Sequence, residues 1–355
     1  MAHLDTLLSL IEKVCTQDQI KALLRDAQER LGEGHKREVK VTGDNKADTI
    51  RTNLRRAVVD GHVPLDVVFK LLRDAEENGD QHIYYFTPAT AGVAAKLSKF
   101  AAVAAAFYER HRTSADRLPR AIHGSENYQL VDFRVEENEA AAAGSRWMAK
   151  LYGRKKYRER GGDERHEDGL YWVPYKEVDV RTPLMAVYRN WGLLEMRVPR
   201  VDAAHLYAEM LNALWEAMPE EFARENFVEW SLTDARLRLM NEYEEGISRY
   251  HIGPSQISDG EGGTVTYRPS SQDENVMAAG GRARSLRELL KTTDGCRNLR
   301  VIWYARPDLV PPTDEIPTVM GAMRRGAPDN EVIFTTKVSA GTLDYVAYRL
   351  RELQQ

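Results

Sequence analysis

A short basic segment holds the residues best suited to contact a ligand. In residues 153–165, six of the thirteen side chains are basic and three are acidic, and the positive charge concentrates in residues 154–160, around Tyr157. Arginine pairs with phosphate oxygens through two parallel hydrogen bonds, so such a segment at a loop tip can contact a nucleic-acid backbone. A solvated hairpin tip, whose charges only keep the protein soluble, explains the same composition equally well.

A second basic set lies on a helix predicted for about residues 45–60. Arg51 and Arg55 are one turn apart and share a face, Arg56 lies beside them, and Lys46 is near the helix start. A charged face opposite an apolar face is what any surface helix shows, and three aspartates nearby reduce the positive charge. Taken alone, this set favours a structural role.

The search for catalytic patterns is mostly negative. The sequence lacks the GxxxxGK[ST] phosphate loop, the GxGxxG fingerprint, the GxSxG elbow and the HExxH motif. The densest group of metal-ligand types is residues 166–168 (HED), but adjacent side chains diverge and cannot all reach one ion. Asp168, Lys176, Glu177 and Asp179 are loosely similar to metal-nuclease sites, yet Lys176 and Glu177 would point to opposite faces of a strand. We predict no catalytic residue, no metal and no cofactor, with a metal-dependent nuclease or defence effector as the alternative.

Composition and charge exclude several classes of protein. The 355 residues carry 50 basic and 54 acidic side chains, a formal net charge of -4, so nucleic acid or membrane must be met by a local patch. The two cysteines are far apart and lack a CxxC partner, which excludes a disulfide scaffold and a cysteine zinc site. Lys96 and Lys99 interrupt the alanine-rich stretch 89–107, so we predict no membrane contact. We expect an intracellular protein, cytoplasmic or nucleoid-associated.

The elements that would position these residues change in type along the chain. Apolar residues at helical spacing predict five helices up to about residue 112, and residues 82–86 (HIYYF) are either a strand or a buried connector. Alternation then predicts strands at residues 128–136, 146–152, 170–177, 193–198, 298–306 and 331–336. A charged loop is predicted at residues 153–169 and another loop at residues 250–263. Helices are expected at residues 202–217 and 339–353.

One sequence pattern, in which a strand ends and a capped amphipathic helix follows, occurs twice, at residues 200–206 and 337–343. Chance recurrence of good caps explains this pattern as well as duplication does. The predicted fold class is α+β, with an N-terminal helical bundle over residues 1–115. An α+β domain follows over residues 120–355, with a largely antiparallel sheet and helices on one face. A subdivision near residues 217–225 is a further option.

The order of these parts resembles a known family. A Trp-bearing strand RWMAKLY (146–152) leads through a polar loop to the aromatic strand LYWVPY (170–175), and the strand LEMRV (194–198) precedes an amphipathic helix. This pattern resembles the CENP-N family of kinetochore proteins, which has prokaryotic relatives associated with chromosome segregation. A looser match in the helices around residues 50–86 extends the resemblance over about residues 1–215.

The resemblance implies a pyrin-like, death-fold helical domain packed on an α+β domain. It also implies a non-enzymatic protein that grips double-stranded DNA along a basic groove between the two. The predicted DNA-binding residues are Lys46, Arg51, Arg55, Arg56, Arg154, Lys155, Lys156, Arg158 and Arg160. The histone contact of eukaryotic members is not carried over, because the sequence lacks the long charged tails common in nuclear chromatin proteins. Residues from about 217 onward match poorly, so no partner interface is carried over either. An interaction adaptor whose helical domain self-associates is a third alternative, so a protein partner or self-association stays open.

Overall fold

The chain is a mixed structure with an N-terminal helical region and a large antiparallel sheet. The structure, a computed structural model, describes residues 2–32, 36–137, 144–162, 164–165, 171–172, 175–201, 206–243, 248–258, 263–268, 275–278, 280–291, 293, 296–304, 316–321 and 329–354. The helices are α1 (Ala2–Val14), α2 (Gln17–Leu31), α3 (Lys46–Asp48), α4 (Arg55–Val59), α5 (Leu65–Glu77), α6 (Ala91–Leu97), α7 (Phe100–Arg110), α8 (Leu206–Ala217), α9 (Thr233–Asn241), α10 (Gly281–Leu290) and α11 (Ala340–Glu352). The strands are β1 (Gly79–Pro88), β2 (Gln129–Glu136), β3 (Arg146–Arg160), β4 (Glu164–Arg165), β5 (Tyr171–Trp172), β6 (Tyr175–Arg189), β7 (Leu193–Pro199), β8 (Phe227–Glu229), β9 (Tyr250–Ser258), β10 (Thr264–Tyr267), β11 (Cys296–Trp303), β12 (Ile316–Gly321) and β13 (Glu331–Lys337).

The N-terminal helices form because caps and apolar spacing agree. Thr16 and Gln19 make a capping box at the start of α2, where each side chain accepts a hydrogen bond from the other residue's backbone N–H. Asn45 caps α3, and α3, a π-helical turn at Thr49–Leu54 and α4 form the predicted third helix as one run. Apolar side chains of these helices and of α5 share one core, which includes Leu7, Ile11, Ile20, Leu24, Ile50, Leu54, Val68 and Leu72.

A single sheet joins the early and late parts of the chain. Its strands follow the order β10-β9-β11-β12-β13-β1-β7-β6-β3-β2, all neighbours are antiparallel, and β8 pairs with the end of β1. The run at residues 82–86 is therefore part of a central strand. β1 lies before the boundary predicted between residues 115 and 120, and it forms backbone hydrogen bonds with β7 and β13, which follow that boundary in the chain.

Helices pack on both faces of this sheet. Successive side chains of a strand point to opposite faces, and on β1 Ile83 and Tyr85 join one apolar cluster while Tyr84 and Phe86 join another. We call the face of Ile83 the front and the face of Tyr84 the back. Helices α9 to α11 contribute to the front cluster and α6 to α8 to the back cluster. The prediction of helices on one face is wrong, because the central strands are apolar on both faces and each face must be covered.

The strand-then-helix pattern occurs on both sides of β1. β7 precedes α8 and β13 precedes α11, and the two strands pair with opposite edges of β1. Ser339 caps α11, where its hydroxyl accepts a hydrogen bond from the N–H of Thr342 at 3.3 Å. Asp202, at the corresponding position of the first copy, lies outside the described residues. The helices of the two copies cover opposite faces of the sheet.

The loop predicted at residues 250–263 is wrong for most of its length, because β9 occupies residues 250–258 and pairs with β10 and β11. Ile252 and Ile257 are fully buried, as expected for a strand that covers a core. A Cβ atom at Gly253 would lie 3.2 Å from Cδ of Arg300. Glycine therefore allows that long side chain to lie close against the strand, and this packing requirement outweighs the loop preference of the residue type.

Candidate nucleic-acid interface

The basic segment forms the outer half of a β hairpin. β3 and β6 are each fifteen residues long and pair without a break in register, ending with Arg160 opposite Tyr175. The predicted loop at residues 153–169 is therefore wrong for residues 153–160. The two strands pair through backbone hydrogen bonds, which do not depend on the charge of the exposed side chains. β6 also supplies β-branched residues, which favour a strand.

Alternation along β3 separates the basic residues onto the two faces. The residues adjacent to Lys150 on β3 belong to the back cluster, so Lys150 itself lies on the front. Arg154, Lys156 and Arg158 are each an even number of residues from Lys150 and therefore also lie on the front. Lys155 lies on the back, where its Nζ atom is 3.4 Å from a carboxylate oxygen of Glu209 on α8. The backbone of Arg160 belongs to β3, and its side chain lies outside the described residues. We call Arg154, Lys156 and Arg158 the front row.

The front row is open to solvent, and the register places Asp179 opposite Lys156 and Glu177 opposite Arg158. Lys156 is 61% exposed, and its Nζ atom is 3.7 Å from Glu177, which is 66% exposed. An exposed pair of this kind contributes about 0–1 kcal/mol, so the lysine can exchange the carboxylate for another anion at little cost. The register also places Arg181 opposite Arg154. The sequence prediction missed Arg181, because only the hairpin register brings it beside the basic segment.

The third-helix arginines are exposed and each has an acidic partner. Arg51 is 3.3 Å from Glu12, Arg55 forms an ion pair with an aspartate of α1, and Arg56 is 3.2 Å from Asp60 one turn along. Arg51 and Arg55 thus face α1 while Arg56 does not. Lys46, at the start of α3, is half-buried. The structure leaves the three arginines paired with carboxylates, but only Asp60 is one of the aspartates noted in the sequence, and the other two partners come from α1.

A connecting segment joins the helical region to the base of the hairpin. Ala121 is buried in the helical core. The backbone oxygen of Ser125 accepts a hydrogen bond from the N–H of Arg154 at 2.8 Å, and the guanidinium of Arg154 donates to the backbone oxygen of His123. A Cβ atom at Gly124, where φ is +89°, would lie 2.8 Å from the backbone oxygen of Gly153. The close approach fixes the direction in which the hairpin leaves the sheet.

Buried charges attach α5 to the front of the sheet. Lys150 is 1% exposed, and its Nζ atom lies 2.7 Å from Glu76 and 2.9 Å from Glu77, both in the last turn of α5. Arg134 of β2 donates to Glu77 at 2.5 Å, and the hydroxyl of Tyr152 donates to Glu76. The helical region therefore lies on the front, the face that also carries the front row.

The ionisation of this cluster follows from its pairing. Burial alone would raise the pKa of the Glu77 carboxyl, but Lys150 and Arg134 outweigh burial and hold that pKa at about 2. Burial alone would lower the pKa of Lys150, and Glu76 and Glu77 instead raise it above its usual range. Glu77 and Lys150 are thus both charged at neutral pH, and sequence reasoning missed them. The signal was a pair of glutamates at the end of an apolar helix and charges of both signs at alternate positions of β2.

A second buried group of charges lies between the sheet and α11. Arg189 of β6 is fully buried and binds Glu195 of β7 and, at 2.8 Å, Asp344 of α11. Arg197 of β7 also binds Glu195, and Arg146 of β3 binds Asp344. Burial would raise the pKa of the Asp344 carboxyl, and the nearby arginines lower it instead. This group attaches α11 to the front of the sheet, as the first group attaches α5.

The residues considered for a nuclease show no convergent site in the described part of the chain. Asp168 and its neighbours His166 and Glu167 lie outside the described residues, as does the side chain of Asp179, and Glu177 is exposed beside a lysine. No group of three or more His, Cys, Asp or Glu side chains able to hold a metal ion is found within the described ranges. Both cysteines are buried, and burial raises the pKa of each thiol to about 12.

Comparisons with protein families and curated proteins find no match for this chain. No single helix among the described residues is long and apolar enough to span a membrane, and the bent pair of α6 and α7 meets the length and composition test only when taken together.

Proposed function

We propose that this protein is a non-enzymatic double-stranded DNA-binding protein that holds the phosphate backbone with the front row of its β3–β6 hairpin. The observation that supports the proposal is the placement of Arg154, Lys156 and Arg158 at alternate positions of one strand face. A rise of about 3.3 Å per residue gives this row a length of about 13 Å. The major groove is about 12 Å wide and admits a two-stranded ribbon, so the row is long enough to reach phosphates on both groove walls.

The helical region is the proposed second contact. It lies on the same face of the sheet as the front row, and Arg51, Arg55 and Arg56 are all exposed. Their ion pairs are solvent-exposed and therefore weak, so DNA phosphates can replace the carboxylates. From the resemblance to CENP-N we further propose a pyrin-like fold for this region and chromosome segregation as the setting. Phosphate contacts carry no sequence information, so binding should be largely independent of DNA sequence.

The test is DNA affinity as a function of salt. Each phosphate contact contributes about -0.9 to the slope of log K against log salt concentration. A triple variant, Arg154→Ala, Lys156→Ala and Arg158→Ala, should bind a short duplex more weakly, with a slope that is flatter by up to about 2.7. Fluorescence anisotropy at several salt concentrations measures both quantities.

A matched triple variant controls for the loss of three charges. Arg25, Lys96 and Lys99 are exposed basic residues of α2 and of the α6–α7 turn. Replacing these three by alanine changes the net charge by the same amount and should leave the slope within about 0.5 of wild type. Equal slopes for the front-row triple variant and wild type would refute the proposal. Cleavage of plasmid DNA by the purified chain with Mg²⁺ would favour the nuclease alternative.

A further inference from the structure

A cavity lies on the front of the sheet between the two charged groups that attach α5 and α11. Its volume is about 170 Å³. Five basic side chains line it: Lys70, Arg73, Arg134, Arg146 and Arg197. They come from α5, β2, β3 and β7, and the first turn of α11 closes the rim at Ala340. Neither the sequence analysis nor the DNA-binding proposal gives these residues a role as a set.

Three carboxylates also line the cavity, and each is already bound by a neighbouring cation. Asp74 is 2.5 Å from Lys70. Glu77 lies between Arg134 and Lys150, at 2.5 Å and 2.9 Å. Glu136 accepts a hydrogen bond from Nε of Arg146 at 2.7 Å. Carboxylates outside the lining pair with its arginines too: Asp344 with Arg146, Glu195 with Arg197 and Asp132 with Arg134. Since a guanidinium offers five N–H donors, the arginine with the weakest pairing is Arg73.

Two arginines of the lining have spare donors. Nε of Arg134 is buried, has no hydrogen-bond partner among the described residues and lies 4.0 Å from a carboxylate oxygen of Glu136. The other two nitrogens of this guanidinium pair with Glu77 at 2.5 Å and Asp132 at 3.0 Å. The side chain of Arg73 is 27% exposed, and its ion-pair partner Asp132 lies 3.9 Å away. Arg134 is thus well paired apart from Nε, whereas Arg73 has only a distant partner. Partly burying a cation without good hydrogen bonds is costly, so Arg73 favours an anion in this space.

We propose that the cavity binds a small oxyanion of the phosphate class. The bound anion would accept hydrogen bonds from Arg73, lie beside Arg134 and join α5 to the sheet beneath α11. Its size excludes larger ligands, because sites for drug-sized molecules occupy about 300–1,000 Å³. A DNA duplex is far too wide to enter. The inference is thus independent of the front row, and either can fail without the other.

Isothermal titration of the full chain with inorganic phosphate tests the site, with chloride at matched ionic strength as the blank. Saturable binding is expected, together with a rise in the thermal unfolding midpoint that chloride does not give. Arg73→Gln removes a spare donor and should weaken phosphate binding about tenfold or more, since a hydrogen bond to a charged group contributes about 1.5–3 kcal/mol. Arg25→Gln removes an exposed arginine of α2 and should bind as wild type does.

Ala340→Met is the second variant, because it narrows the rim and keeps every charge. If circular dichroism shows that Arg73→Gln is unfolded, Ala340→Met becomes the deciding variant. It should also weaken phosphate binding about tenfold. A parallel titration with methyl phosphate distinguishes free phosphate from a phosphomonoester as the tighter ligand. The proposal is overturned by the absence of saturable binding of either compound. It is equally overturned if the deciding variant binds phosphate as wild type does, which would place the anion elsewhere.

Discussion

Replacing Lys150 by methionine should destabilise the folded protein severely. The ammonium group is buried between Glu76 and Glu77, and methionine has a similar length without the charge. Removing one partner of a buried ion pair leaves an uncompensated charge and costs about 3–5 kcal/mol. This is a large fraction of the 5–15 kcal/mol that stabilises a typical domain. The measurement is the free energy of unfolding at pH 7 from urea titration of the full chain.

The pH dependence gives a second and more specific signature. In the wild type the pKa of Glu77 is lowered from 4.5 to about 2. Its contribution to stability, about 3 kcal/mol, is therefore fully present above pH 4.5 and is lost as the pH falls from 4.5 towards 2. In the variant, Glu76 is buried without its ammonium partner and its pKa should rise. The free energy of unfolding of the variant should then increase relative to that of the wild type as the pH falls from 7 to 5.

Lys156→Met is the matched control, because Lys156 occupies the same strand and face but is exposed. Its free energy of unfolding should differ from wild type by less than about 0.5 kcal/mol at every pH. The reasoning is refuted if Lys150→Met costs less than about 1 kcal/mol at pH 7. It is also refuted if the curves of stability against pH for Lys150→Met and wild type run parallel.

Three further outcomes are expected. Gly153→Ala should lower the free energy of unfolding in urea by about 1–3 kcal/mol, because its Cβ would lie 2.6 Å from the Tyr128 ring. Gly162→Ala is the control and should not change this free energy, because no atom lies within 4 Å of its Cβ. Equal stabilities of the two variants would contradict this packing. Lys156→Ala should flatten the slope of log K against log salt concentration for DNA binding by about 0.9. Lys155→Ala, on the opposite face, should leave this slope unchanged. Identical slopes for the two variants would exclude a phosphate contact by Lys156. The two cysteine thiols should react with a thiol reagent only after unfolding, and rapid reaction of the native chain at pH 8 would show that they are not buried.

The sequence predicts the type of structure well where one face of an element is apolar. The third helix, the strand at the start of β3 and the capped helix after β13 all follow from periodicity and caps. The central strand stays ambiguous because residues 83–86 are buried on both faces, so its apolar run shows no alternation. Gly253 and the proline after it predict a loop, and only the packed Arg300 side chain explains why a strand forms there.

The candidate sites were predictable to a smaller extent. The basic segment is visible in the composition. Its basic side chains are divided between two faces of the sheet only because the segment continues β3 as a strand, whereas the sequence predicts a loop there. The charges of β2 alternate with apolar residues and therefore predict a solvent-facing edge. In the structure Asp132 is buried beneath α5 instead. The glutamates at the end of α5 and the charges of β2 are visible in the sequence, but a single sequence gives no information on which helix covers which face. Their pairing and the cavity beside them could therefore not be foreseen.

The central position of β1 has a consequence for how the chain folds during synthesis. β1 ends at Pro88, whereas β13, which completes its pairing, begins at Glu331. A half-sheet of β1, β7, β6, β3 and β2 can therefore assemble first, with β1 as its edge strand. That edge presents unpaired backbone groups next to an apolar run until the last part of the chain emerges, and such edges recruit other chains. Contacts so distant in sequence also form slowly. Nascent or truncated chains that lack β13 should therefore be the aggregation-prone and chaperone-dependent forms of this protein.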